Sequence, residues 1–123
     1  MENENRKYIL VRTDGTYSIV EILDNDFLSQ AYKLLECELV ETVPIMGNEI
    51  FICDEEGKLK PKPRINYFAS ALYQELHGGD YSVGNVIIGC YLDCDIHGLS
   101  SDVLNKYVKV LEECEYENKS ING

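Results

Sequence analysis

Positive charge is what this chain has least of: 11 lysines and arginines stand against 22 aspartates and glutamates, a formal net charge of -11. That balance argues against general, direct binding to nucleic acid, whose phosphates would be repelled. No apolar run approaches the ~20 residues a membrane span needs, and the start MENENRKY has no apolar segment of the signal-peptide kind, so no membrane partner is expected and a cytosolic location is predicted. Five cysteines, an odd number scattered among apolar residues, read as reduced and mostly buried thiols. With two histidines, catalytic and metal chemistry have little to work with. The grouping Cys90-x3-Cys94-x2-His97 lacks the tight pair and the second pair of a zinc site, and a Cys/His nucleophilic pair is no better supported. Glycines fall in turns, and no glycine-rich phosphate loop follows a strand and opens a helix. Neither an enzyme nor a cofactor is therefore expected.

What is present is ordinary globular material, 45% hydrophobic and 27% charged over 123 residues, which predicts one domain over residues 1–123 with loose tails at 1–6 and 115–123. Tyr8–Arg12 and Thr16–Leu23 flank Thr13-Asp14-Gly15, a hairpin signal because glycine takes positive φ without a clash. Asp24-Asn25-Asp26 caps a helix through Glu36, with Phe27, Ala31, Leu34 and Leu35 on its apolar side. Cys37–Val43 alternates as a half-exposed strand that Pro44 stops. Ile50–Cys53 is apolar without alternation, as expected for a strand covered on both faces, and should be central. Ile65, Phe68, Ala69, Leu72, Tyr73 and Leu76 form a helical stripe ended at His77-Gly78-Gly79. Asn85–Leu92 is a further buried strand beside Ile50–Cys53, and Ser100 or Ser101 with Asp102 caps a last helix carrying Leu104, Tyr107, Val108 and Leu111. The sum is an α+β domain, a small and mainly antiparallel sheet of about five strands with two to three helices packed on it, covering one face.

The scarce cations are concentrated. From Gly57 to Gln74 there is no acid, yet Lys58, Lys60, Lys62 and Arg64 all lie within that stretch. Pro61 and Pro63 bias Lys60 and Lys62 toward extended geometry, in which alternate side chains project to one side. Lys60, Lys62 and Arg64 would attract phosphate, Asn66 would offer a polar edge, and Tyr67 would offer a flat face for stacking, with the start of the following helix adding backbone N–H groups. The bland alternative is a solvated loop balancing Glu55 and Glu56.

Several short motifs add a resemblance. Asp54–Leu59 (DEEGKL), Pro63 and Asn66, Gly84 with Asn85–Gly89, and Leu99-Ser100-Ser101 resemble a small domain-of-unknown-function family found in phages, prophages and conjugative elements, over roughly Lys7 to Glu113. Two positions depart from it: Tyr67 follows Asn66 where the family usually has Arg, and Ser101 stands where it usually has Pro. The resemblance implies a mobile-element setting in which small non-enzymatic proteins counter host defence. The resulting expectation is an anti-defence protein that binds and sequesters a small nucleotide immune signal, such as a cyclic ADP-ribose derivative or cyclic oligonucleotide, in a homo-oligomer. The alternative is an acidic mimic of DNA that inhibits a host defence nuclease through Glu36, Glu38, Glu41, Asp54, Glu55, Glu56, Asp93, Asp95, Glu112, Glu113, Glu115 and Glu117.

Overall fold

In the computed structural model, residues 6–23, 26–56, 66, 69–70 and 84–122 are described, with side chains described up to residue 113. The chain begins as a hairpin of β1 (Lys7–Val11) and β2 (Tyr17–Glu21), antiparallel from Lys7↔Glu21 to Val11↔Tyr17. The expected turn is there, with Gly15 at φ 90. The Asp14 carboxylate accepts hydrogen bonds from the Thr16 hydroxyl (2.6 Å) and the Thr16 N–H (3.0 Å). Those two donors hold the Asp14 carboxyl below its ordinary range.

Helix α1 (Phe27–Leu35) buries Phe27, Ala31 and Leu35, as its spacing requires. Asp26 stands at its N-cap, but its carboxylate takes the Gln30 side-chain amide at 2.9 Å instead of a backbone N–H. The helix closes at Glu36 in the left-handed region, with the Cys37 N–H donating to Tyr32 O. Strand β3 (Val40–Met46) differs from expectation, because it starts later than Cys37 and runs through Pro44. Proline is tolerated there since β3 is an edge strand and its register shifts between Pro44 and Met46. Strand β4 (Glu49–Asp54) follows as an inner strand, and β5 (Val86–Leu92) pairs beside it, as the apolar runs indicated. The sequence reading missed β6 (Asp95–His97), which turns back on β5 through Asp93 and Cys94. The last helix, α2 (Ser101–Asn122), is capped by the Ser100 Oγ, which accepts from the Val103 N–H at 3.4 Å. It runs on through Asn122, where a loose tail from 115 was expected. Among the described side chains, Leu111 is the last buried one of the apolar stripe.

All pairings are antiparallel, in the order β2-β1-β5-β4-β3, with β6 added to β5. The α+β architecture is as expected; the single covered face is not. Ile9, Val11, Phe51, Cys53, Val86 and Ile88 point to one face and pack with Leu104, Tyr107 and Leu111 of α2. Tyr8, Leu10, Ile50, Ile52 and Ile87 point to the other and pack with Phe27, Ala31 and Leu35 of α1. The inner strands read YILV, IFIC and VII. A strand apolar at odd and even positions alike must be covered twice. Of the stripe expected over Ile65–Leu76, Ala69 is described and lies in the α2-side cluster; Ile65, Phe68, Leu72, Tyr73 and Leu76 lie outside the described residues.

Two consequences can be measured. A Cβ at Gly89 would stand 3.0 Å from Cδ2 and Cε2 of the Tyr8 ring and 3.2 Å from Ile52 Cδ1, and that ring is held against Phe27 at 5.3 Å. Gly89→Ala should therefore lower the stability by about 1–3 kcal/mol in urea titration. Conversely, Asp93 (φ 52) and Cys94 (φ 62) form a two-residue hairpin loop with positive φ at both positions. The double change Asp93→Asn, Cys94→Gly should raise the urea midpoint, by about 0.5–1 kcal/mol of stability.

Candidate functional site

The rim where β4 ends and β1 and β5 meet is defined by Cys53↔Val86 and Val11↔Val86. Residues 57–65 connect Glu56, just past β4, to Asn66. Lys58, Lys60, Lys62, Arg64 and Tyr67 lie outside the described residues. Asn66 does not, and its role is internal. It has no accessible surface. Its Nδ2 donates to Val11 O (3.0 Å) and Gly84 O (2.9 Å), while its Oδ1 accepts from the Ala69 N–H (3.0 Å). The Ser70 N–H donates to Asn66 O at 2.8 Å. This is N-cap geometry at the head of a helical turn. Both amide hydrogens are committed to the main chain, so Asn66 presents no polar edge outward as the sequence reading expected. It is a joint that ties the returning end of the cationic connection to the sheet.

The same rim is braced elsewhere. The Thr13 N–H donates to Asn85 Oδ1 at 3.0 Å, joining the hairpin loop to the start of β5. The half-buried Arg12 donates to Ser18 Oγ (2.7 Å) and Thr16 Oγ1 (3.3 Å). Arg12 is a cation at this rim that the sequence reading treated only as the end of a strand. Asp54 Oδ1 accepts from the Glu56 N–H (2.9 Å), shaping the acidic turn from which the connection departs.

The opposite rim holds a second polar group that the sequence reading did not assemble. Glu49, Cys90 and His97 lie side by side on β4, β5 and β6. Glu49 Oε1 accepts from the Tyr107 hydroxyl (2.8 Å) and from Lys106 Nζ (3.1 Å). The Lys106 ammonium also stands 5.0 Å from the Tyr107 ring centroid. Burial first, then Glu49, raises the Tyr107 phenol above its ordinary value. Burial first, then the Glu49 charge, pushes the Cys90 thiol up as well. A thiol held protonated beside a carboxylate is a poor nucleophile. Glu49 is separated from its helix partners by 57 and 58 residues, and no local motif could have announced the contact. Among the described residues, no three His, Cys, Asp or Glu side chains are grouped to hold a metal ion. No helix of the described residues is long and apolar enough to cross a membrane.

The class of protein is thus an α+β domain whose antiparallel sheet carries a helix on each face and a polar group at each rim. The family described as Domain of unknown function (DUF3846) matches residues 6–112, and the chain belongs to that family. No curated protein and no solved structure matches the chain.

The joint at Asn66 is open to test. Asn66→Ala leaves two carbonyls and one N–H short of a buried partner, and should cost about 2–4 kcal/mol in chemical denaturation. Asn66→Asp keeps an acceptor for the Ala69 N–H but buries a carboxylate against the Val11 and Gly84 carbonyls, and should cost at least as much as Asn66→Ala.

Proposed function

We propose that the chain is a non-enzymatic binding protein that sequesters a small nucleotide signal, such as a cyclic ADP-ribose derivative or a cyclic oligonucleotide. Its setting would be a phage or other mobile element, acting in the host cytosol against a defence system. The supporting observation is the anchoring of the cationic connection. Four of the chain's 11 lysines and arginines fall between Lys58 and Arg64, and the connection is tied back to the sheet rim through Asn66. Covalent continuity keeps Arg64 within two residues of that joint. Lys60, Lys62 and Arg64 would bind phosphate and Tyr67 would stack on a base, while Asn66 holds the segment in place. A pocket between protomers of a homo-oligomer would suit a domain of this size.

The rival reading is an acidic DNA mimic that inhibits a host defence nuclease. Glu55 and Glu56 lie at one rim, Asp93 and Asp95 at the other, and Glu112 and Glu113 on α2.

The test is to incubate the purified protein with a panel of cyclic oligonucleotides and cyclic ADP-ribose derivatives, then follow its melting temperature. A panel member should raise it, and heating should release that nucleotide chemically intact. Arg64→Ala should cost about 1–3 kcal/mol of affinity for that ligand. Release of an altered nucleotide would identify an enzyme. A panel without effect, together with salt-sensitive capture of a host nuclease, would favour the rival.

A further inference from the structure

Helix α2 is pinned to the sheet at two places. Lys106 and Tyr107 reach Glu49 on β4, while the exposed Glu112 accepts from the Tyr17 hydroxyl on β2 at 3.3 Å. Tyr17 is paired with Val11, and the Val11 carbonyl is one of the two that hold Asn66. The helix therefore crosses the sheet diagonally, from the Glu49 rim toward the rim where the cationic connection returns. Leu111 of α2 lies in one buried cluster with Val11 and Ala69, so the turn that Asn66 caps packs beside the same stretch of helix.

What α2 brings to that rim is negative charge. Residues 112–117 (EECEYE) place four glutamates on helical backbone. Glu112 and Glu115 stand three residues apart and Glu113 and Glu117 four, spacings at which like charges on a helix repel. Lys109 and Lys119, toward either end, offset two of the four and leave two unanswered. The helix nevertheless continues to Asn122. A matching set of cations is tethered close by. Only β5 separates β4 from β1, so those strands lie about 10 Å apart, whereas the nine residues 57–65 can span about 30 Å. The connection has length to spare, and β2, which Glu112 touches, is a single strand past β1.

We propose that the acidic end of α2 is the internal counter-charge of the cationic connection: without ligand, Glu112, Glu113, Glu115 and Glu117 pair with Lys58, Lys60, Lys62 and Arg64. Charge complementarity names the occupant, and the tether favours it over a separate partner by raising its effective concentration. Glu112 uses Oε1 on Tyr17, which leaves Oε2 to a cation. The competing acids are Glu55 and Glu56, in the turn from which the connection departs. One consequence rests on the sequestration reading. A phosphate entering among the four cations has to displace the glutamates, so a single phosphate gains little, while a ligand with several phosphates can replace all of the lost pairs. The contact would thus act as a threshold that selects polyphosphorylated ligands.

Carbodiimide, which joins a carboxylate to an amine in contact with it and adds no spacer, tests the contact on the ligand-free full chain. Cross-links from Lys58, Lys60 or Lys62 to Glu112, Glu113, Glu115 or Glu117 should form at low salt and fade at high salt. Cross-links of those lysines to Glu55 and Glu56 alone, or none at all, overturn the proposal. A second readout uses the variant with Glu112→Gln, Glu113→Gln, Glu115→Gln and Glu117→Gln. Trypsin should cut it after Lys58 and Arg64 about fivefold faster than the wild type at low salt, and an equal rate there overturns the proposal. Inorganic triphosphate then separates the contact from its consequence. The variant should bind it about fivefold more tightly than the wild type at low salt. Equal binding by both overturns the threshold, whereas binding by neither overturns the phosphate reading and leaves the cross-links to decide the contact.

Discussion

Everything else in the molecule follows from the burial of β5 on both sides. Val86, Ile87 and Ile88 have no accessible surface although their side chains alternate between faces. Each fully buried aliphatic side chain contributes about 1.5–3 kcal/mol, so leaving either face uncovered would forfeit several such terms. The sheet is accordingly covered twice, by α1 on one side and by α2 on the other. With both broad faces closed, strand ends and strand edges are what remains for a ligand or a partner.

The two rims solve the problem of a polar group near the core in different ways. Asn66 is neutral and can be fully buried once its hydrogen bonds are made, so it serves as a rigid joint. Glu49 is charged, and it keeps part of its side chain (16%) in contact with solvent while two donors from α2 stabilise the carboxylate. Burying that charge completely would cost more than the pair returns. The Glu49 group fastens α2 to β4 at the point where the helix begins its crossing toward β2. The Asn66 group fastens the chain after the cationic connection to β1. Each rim thus couples a segment distant in sequence to the sheet through side chains alone.

Local chemistry was legible in the sequence and long-range chemistry was not. Asp14-Gly15, the run Ile50–Cys53 and the Ser100 cap each declare their structure within a few residues, and each is found where expected. The hairpin of β5 and β6 escaped because Asp93-Cys94 offers no glycine to mark the turn. Pro44 pointed to the end of a strand, whereas an edge position removes the need for its N–H. Cover on both faces was already legible in the unalternating run Ile50–Cys53, and what the sequence did not declare was that the helices divide between the two faces. Asn66 looked like a ligand contact because it adjoins the cations. Only the fold shows that two carbonyls, one 55 residues earlier and one 18 residues later, claim its amide first.

Charge then distinguishes among the surfaces left open. Glu41 stands on the β3 edge, Glu55 and Glu56 at one rim, Asp93 and Asp95 at the other, and Glu112 and Glu113 on α2. On a body this anionic, each of those places repels a second copy of the chain and any phosphorylated ligand alike. Two stretches are exceptions. Residues 57–74 contain no acid, and residues 16–23 contain one. A strongly acidic surface does not require such gaps for solubility, since further acids there would serve that end equally well. Near such a gap a phosphate or a second chain meets less repulsion than elsewhere on the protein.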